Sequence, residues 1–239
     1  MTRFFVEPEA LALDRIFLTD ENAQHAKVLR LKPGEQVLVC DGNGREALCT
    51  VVDTTTLEIL HRQESETEPG VSVSVYMAFP KGDKLEHVIQ KATELGAFEI
   101  VAFPSARCVS KPDEKSLNKK LERWQKIAAS AAEQSGRGRI PQVIVLKSFT
   151  EAIQRAVKAE KALLLYENEQ ATTLKMALTG EKYRSVSLLT GPEGGLEEKE
   201  VLQAQSAGMT VCTLGKRILR CETAPLCALS AVMYDFGEF

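Results

Sequence analysis

The spacing of apolar positions along the 239-residue chain changes near residue 70. Before that point they fall in short runs, Ile16–Leu18, Val37–Cys40, Ala47–Val52 and Leu57–Leu60, broken by turn sequences at Pro33-Gly34 and Asp41-Gly42-Asn43-Gly44. Runs of that length rich in branched residues predict strands. One helix interrupts them over Glu21–Arg30, where Ala23, Ala26 and Val28 or Leu29 recur at helical spacing. The expectation is a small β-barrel-like module carrying one helix. The segment Arg62–Gly70 is polar, charged and closed by Pro69-Gly70, which predicts a linker and two domains, 1–69 and 70–239.

Beyond residue 70, strands alternate with helices, the pattern of an α/β domain with a largely parallel sheet. Strands are predicted at Val71–Phe79, Glu99–Phe103, Val143–Leu146, Ala162–Tyr166, Val186–Thr190 and Thr210–Leu214. Leu85, Val88, Ile89, Ala92 and Leu95 form one helical stripe closed by Gly96. Leu117, Leu121, Trp124, Ile127, Ala128 and Ala131 form a second, which makes Trp124 a core residue. Ser148-Phe149-Thr150-Glu151 fits a capping box opening a helix to about Ala159, and a last helix runs from Glu222 to Tyr234.

Composition adds mostly exclusions. With 44% hydrophobic and 26% charged residues the chain has the balance of a soluble protein. No apolar run reaches bilayer length and the first residues lack a signal-peptide core, so no membrane contact and a cytoplasmic location are expected. The six cysteines show no metal-ligand spacing and read as reduced thiols, with no metal expected. A net charge of −3 does not suggest a general nucleic-acid binder, so RNA contacts must come from local patches such as Lys81-Gly82-Asp83-Lys84, Arg137-Gly138-Arg139 and Lys216–Arg220.

The strongest chemical signal is Leu188-Leu189-Thr190-Gly191-Pro192-Glu193-Gly194-Gly195-Leu196, an apolar strand running into three glycines and then a helix start at Glu197-Glu198. Glycines let a ligand approach the backbone, and a helix N-terminus offers unpaired N–H groups. Taken alone, a tight strand-to-helix turn explains the stretch as well. It is neither a P-loop, having no Lys-Ser/Thr after the glycines, nor part of a G-x-G-x-x-G dinucleotide fold. A second loop repeats the arrangement: Leu214-Gly215, then Lys216 through Thr223-Ala224-Pro225 into the last helix, where Glu222 and Thr223 also read as simple caps.

Together these residues carry a resemblance. Thr190–Gly195 with Leu214-Gly215-x-Arg217-Ile218-Leu219-Arg220-x-Glu222-Thr223-Ala224 resembles the cofactor-binding pair of the SPOUT ribosomal RNA uridine-N3 methyltransferases. The similarity extends to Lys81–Lys84, Gln90–Gly96, Glu133–Arg137, Arg3-Phe4-Phe5 and His25-x-x-x-Leu29-Arg30, and so covers nearly the whole chain. Two departures are small: Cys221 stands where many members carry Thr, and the third basic patch reads Gly138-Arg139-Ile140-Pro141.

The resemblance implies an α/β trefoil-knot methyltransferase domain preceded by a PUA-like RNA-binding β-barrel, working as a homodimer on 16S rRNA or the small ribosomal subunit. It implies S-adenosyl-L-methionine as cofactor, held by Leu189, Thr190, Gly191, Glu193, Gly194, Gly195, Leu214, Gly215, Ile218, Leu219, Arg220, Thr223 and Ala224. Methylating uridine N3 requires loss of the imide proton, so Arg220 is expected as the cation beside the base and Glu193 or Glu222 as proton acceptor. Lys27 and Arg30 in the first domain, and Lys81, Lys84, Arg107, Arg137 and Arg139 in the second, are expected to grip RNA phosphates. Two other readings stay open, a SPOUT enzyme acting on another RNA and a non-catalytic ribosome-assembly factor that kept the fold.

Overall fold

The computed structural model describes residues 1–109, 114–180 and 182–239. These divide into two units, one of Met1–Glu68 with Ala132–Ile140, the other of Pro69–Ala131 with Pro141–Phe239.

The first unit is built on a mixed five-stranded sheet. Its strands are β1 (Arg3–Phe5), β2 (Arg15–Phe17), β3 (Gln36–Cys40), β4 (Arg45–Val51) and β5 (Thr56–Glu64), in the order β1-β3-β4-β5-β2. Helix α1 (Asp20–Val28) lies between β2 and β3 in sequence. Alternate residues Val37, Val39, Ala47, Cys49, Val51 and Leu57 join Phe4, Ile16 and Ala26 in one core, as period-2 strands with a single buried face require. Strand β1 is not evident in the hydrophobic pattern. It is three residues long and is held by parallel pairing with β3, Phe4 opposite Val39, which only the tertiary structure supplies.

The expected linker Arg62–Gly70 begins as strand: β5 continues to Glu64 because its backbone pairs with β4, Arg45 opposite Glu64. Glu68 then accepts hydrogen bonds from Arg137 Nη2 at 2.6 Å, Gly138 N at 3.0 Å and Arg139 N at 3.1 Å. These bonds explain why Ala132–Ile140, placed by sequence position in the second domain, groups with the first unit.

Helix α1 ends in a Schellman turn, with Leu31 N–H bonded to Ala26 O and Arg30 N–H to Lys27 O. Such a turn needs a left-handed residue, here Arg30 at φ 54°, the one non-glycine residue with positive φ among those described. The conformation costs a side-chain-bearing residue about 1 kcal/mol.

The second unit is a six-stranded sheet in which every pairing is parallel, ordered β11-β9-β10-β6-β7-β8. Its strands are β6 (Ser72–Ala78), β7 (Glu99–Phe103), β8 (Gln142–Val145), β9 (Lys161–Leu165), β10 (Ser185–Thr190) and β11 (Thr210–Cys212). Between them run α2 (Lys84–Glu94), α3 (Glu114–Ser135), α4 (Phe149–Ala156), α5 (Leu174–Leu178), α6 (Glu198–Ser206) and α7 (Thr223–Phe236). Every residue of β7 is buried, the continuous apolar run of a strand covered on both faces. On one face Tyr76, Val101, Phe103, Leu164 and Leu189 meet Phe149, Ala152 and Ile153 of α4 and Val201 and Ala204 of α6.

The last turns of α2, α3, α6 and α7 are Schellman ends like that of α1, but with glycine at the left-handed position: Gly96, Gly136, Gly208 and Gly237. Ser148 caps α4 by accepting from Glu151 N. The reciprocal bond runs from Lys147 N to Glu151 Oε2, one residue earlier than the predicted box, and α4 stops at Ala156, short of the expected Ala159. Helix α7 begins at Thr223 with Glu222 at the cap position, and neither side chain caps it; the Thr223 and Ala224 N–H groups bond to the carbonyl of Arg220.

A buried ion pair ties the first unit together: Arg3 Nη1 lies 2.8 Å from Glu46 Oε2, with Gln63 Nε2 donating to the other carboxylate oxygen at 2.9 Å. Both charged side chains are under one-tenth exposed. Glu46→Ala strands the guanidinium in a dry site and should cost about 3–5 kcal/mol of stability. Urea unfolding followed by circular dichroism measures it, and a loss below about 1 kcal/mol would mean that the pair contributes only as a surface bridge does.

Candidate cofactor site

The chain leaves β6 towards β7 and β8 on one side, then returns to place β10, β9 and β11 on the other, so the topology reverses between β6 and β10. Ligands of open parallel sheets bind at the carboxyl ends of strands beside such a reversal. A cavity of about 480 Å³ is found there, within the usual range for small-molecule sites.

Three loops form its walls. The loop after β10 contributes Thr190 through Gly195, the loop after β11 contributes Thr213 through Cys221 with Ala224, and the loop after β9 contributes Leu165, Tyr166 and Glu167. Lys84, the first residue of α2, closes one end. The two glycine-bearing loops singled out in the sequence therefore meet on one cavity. Of the thirteen residues expected to hold a cofactor, Leu189 and Thr223 do not line it. Leu189 faces the core under the loop and Thr223 is exposed at the start of α7.

The loop after β9 escaped sequence reasoning because Tyr166-Glu167 carries no glycine signature. The rule that sites gather at strand carboxyl ends would have found it, since β9 pairs with both β10 and β11. Gly195, at φ 68°, packs so closely on the Glu167 carboxylate that a Cβ there would overlap Glu167 Oε1. Gly191 likewise lies where a Cβ would come within 3.1 Å of the Gly195 carbonyl carbon and Leu196 Cγ. These two glycines fold the loop back on itself and open the cavity.

Lys84 binds both other loops. Its ammonium lies 2.9 Å from Glu193 Oε1 and 3.3 Å from Glu222 Oε2. Lys81 N–H adds a second bond to the same Glu193 oxygen at 2.9 Å. Partial burial pushes the Glu193 carboxyl up, but the Lys81 N–H and the Lys84 ammonium outweigh it and hold it below the usual carboxylate range. Glu222 shows the same balance, burial against its own backbone N–H, the Cys221 thiol and Lys84, and is also lowered. Lys84 is raised, chiefly by Glu193. Burial, then the bond to Glu222, push Cys221 up to about 12, so it stays a neutral thiol donor.

The expected phosphate-gripping residues scatter. Lys84 is committed to the two carboxylates inside the site. Arg107 Nη1 donates to Gly194 O at 2.9 Å, on the outer side of the glycine loop, and its own loop is anchored by Ala106 N donating to the buried Glu200. Lys81, Lys27 and Arg30 are exposed. Arg137 is a correction: it is 3% exposed and held by Glu68, so its guanidinium has no solvent face to offer a phosphate. Arg139 is partly buried and donates to Asn43 O at 2.6 Å.

Arg220, in contrast, lines the cavity with an exposed side chain that makes no hydrogen bond or ion pair among the described residues.

A family model described as an RNA methyltransferase domain matches residues 67–233, and one described as an RNA methyltransferase PUA domain matches residues 18–60. The ribosomal RNA small subunit methyltransferase E of Bacillus subtilis (strain 168) is 38% identical over 248 residues, covering 98% of this chain and 97% of its own. The chain belongs to this methyltransferase family. Among solved structures, the family member from Neisseria gonorrhoeae bound to S-adenosyl methionine superposes with a TM-score of 0.84 at 32% identity, over 98% of this chain and 97% of that one. A methyltransferase from Legionella pneumophila in complex with the same cofactor gives 0.80 at 28% identity, over 98% of both chains. The fold is thus the SPOUT type with an N-terminal PUA-like unit.

Lys84→Met leaves two carboxylates facing each other without their shared cation. Cofactor affinity, read by calorimetry with S-adenosylmethionine, should fall about tenfold, with the fold retained. Gly195→Ala should weaken cofactor binding about tenfold, because the backbone is left-handed there and the new methyl displaces the Glu167 carboxylate that lines the cavity. The pH dependence follows from the lowered carboxyls. Their stabilisation is complete above the ordinary carboxyl value of 4.5 and is lost as pH falls through their own lower values. Affinity should therefore be level from pH 8 to 5 and weaken only in more acid solution, and a break near pH 6 would contradict the clamp.

Proposed function

We propose that this chain transfers the methyl group of S-adenosyl-L-methionine to N3 of a uridine in 16S rRNA of the small ribosomal subunit. The observation that carries the reading is the meeting of loops 190–195 and 214–224 on one cavity, with an Arg220 guanidinium on its wall that has no partner among the described residues. Residues 1–69 serve as the RNA-gripping module and 70–239 as the methyltransferase.

The cavity fits the cofactor. Its volume suits a nucleoside-sized ligand, and the closely packed glycine loop exposes backbone that side chains would otherwise cover. When bound, S-adenosylmethionine supplies an electrophilic methyl group. Thr190, Gly191, Gly194 and Gly195 on one wall, and Leu214, Gly215, Ile218, Leu219 and Ala224 on the other, would hold it.

The chain's own part is to bring N3 into line and favour its deprotonated form. A buried, oriented pair of reactants supplies roughly 7–11 kcal/mol of the acceleration. Arg220 stabilises the imide anion. Glu193 stays ionised at neutral pH and lines the cavity, which supports it as the acceptor of the N3 proton, with Glu222 the alternative acceptor. The target base must leave its stack to enter. Exposed Lys81 and Arg107 lie beside the cavity on the loops that an incoming RNA would cross.

The chain acts in the cytoplasm, where ribosomal subunits are, and as a homodimer, which sedimentation velocity would read directly. Among the described residues no helix is long and apolar enough to cross a membrane.

Arg220→Ala should lower kcat by roughly 10²–10³, the loss typical of one charge-stabilising donor. Mass mapping of 16S rRNA from a strain lacking the gene should show one methyluridine missing, restored by the wild-type chain and not by the variant. Loss of methyl from another RNA would point to a different substrate, and intact methylation together with no S-adenosylmethionine binding would point to an assembly factor.

A further inference from the structure

The first unit holds a second cavity, of about 290 Å³. Its floor is apolar, formed by Leu18, Ala26, Val51 and Leu57, and its rim carries Lys27 and Arg30. None of its lining residues lines the first cavity.

Two observations separate it from an ordinary crevice. Arg30 occupies the left-handed position of a Schellman end where the four other such ends among the described residues carry glycine. Strained residues of this kind cluster at ligand-binding sites, and what arginine adds over glycine is a guanidinium at the cavity mouth. Second, Lys27 and Arg30 are exposed, and neither makes a hydrogen bond or ion pair among the described residues. The acidic group of the rim does not answer them: Asp53 Oδ1 is turned onto its own turn, accepting from Thr55 N at 2.9 Å and Thr56 N at 2.8 Å. Two uncommitted cations over an apolar pocket of this size complement a nucleotide, a flat base joined to an anionic phosphate.

We propose that this cavity holds one unstacked nucleotide of the substrate RNA, distinct from the target uridine, with its base on the apolar floor and its phosphate between Lys27 and Arg30. The proposal rests on the RNA-methylation reading and names the contact that sets register for it. A chain of net charge −3 has little general affinity for RNA, so an anchored nucleotide would give its binding a defined position.

The test uses the full chain, isolated small ribosomal subunits and two variants. Arg30→Gly removes the cation and relieves the left-handed strain, so the fold survives. Thr54→Trp places a ring at the exposed rim. For Arg30→Gly, the thermal midpoint should hold or rise and S-adenosylmethionine affinity should not change. KM for subunits should rise about tenfold, and the slope of log affinity against log salt should flatten by about one. Thr54→Trp should raise KM with the salt slope unaltered. Ultraviolet cross-linking of the wild-type chain to subunits should leave nucleotide adducts on residues 26–31 or 51–57. Wild-type KM in both variants, or adducts only elsewhere, would overturn the proposal. A wild-type chain that methylates neither subunits nor free rRNA would instead sink the methylation reading, while the adduct map would still decide whether the cavity binds RNA.

Discussion

One ammonium group organises the site. Lys84 opens α2, yet its charge is shared by Glu193 from the loop after β10 and Glu222 from the loop before α7, so three segments far apart in sequence converge on a single cation. Each pair is partly exposed and contributes modestly to stability. Their joint effect is geometric: with both carboxylates kept ionised, the walls of the cavity are held at a set separation.

The parallel sheet makes that convergence possible. All six strands point the same way, so the loops following β6, β9, β10 and β11 emerge along one edge, and the reversal between β6 and β10 leaves room between them. Close packing does the rest. Gly191 and Gly195 allow the loop after β10 to fold against Leu196 and Glu167, and what would have been filled by side chains becomes ligand space.

Charge is handled differently in the two units. Around the cofactor site Lys84 is paired with two carboxylates and Arg107 with a carbonyl, whereas Lys216, Arg217 and Arg220 on the cavity wall make no hydrogen bond or ion pair among the described residues. In the first unit the buried guanidiniums of Arg3 and Arg137 are structural, each neutralised by a glutamate, while Lys27 and Arg30 stay outside at a cavity rim. Among the basic residues, burial and pairing thus separate those that hold the fold from those left facing solvent.

The period of the apolar residues was enough to determine the alternation of strands and helices after residue 70, including β7 at its observed limits, Glu99–Phe103. The two glycine loops were legible because their chemistry is local: glycine is chosen where backbone must come close, and that choice is written residue by residue. Features that depend on distant partners were not legible. Strand β1 exists only through its pairing with β3, Arg137 is buried only because Glu68 meets it, and Tyr166-Glu167 reaches the cavity only because β9 lies between β10 and β11. Lys84 was expected to grip RNA phosphates, and only the closure of the fold brought two carboxylates within 3.3 Å of it. Local propensity is carried by neighbours in sequence, whereas burial and ion pairing are carried by neighbours in space, and the chain order does not state who those are.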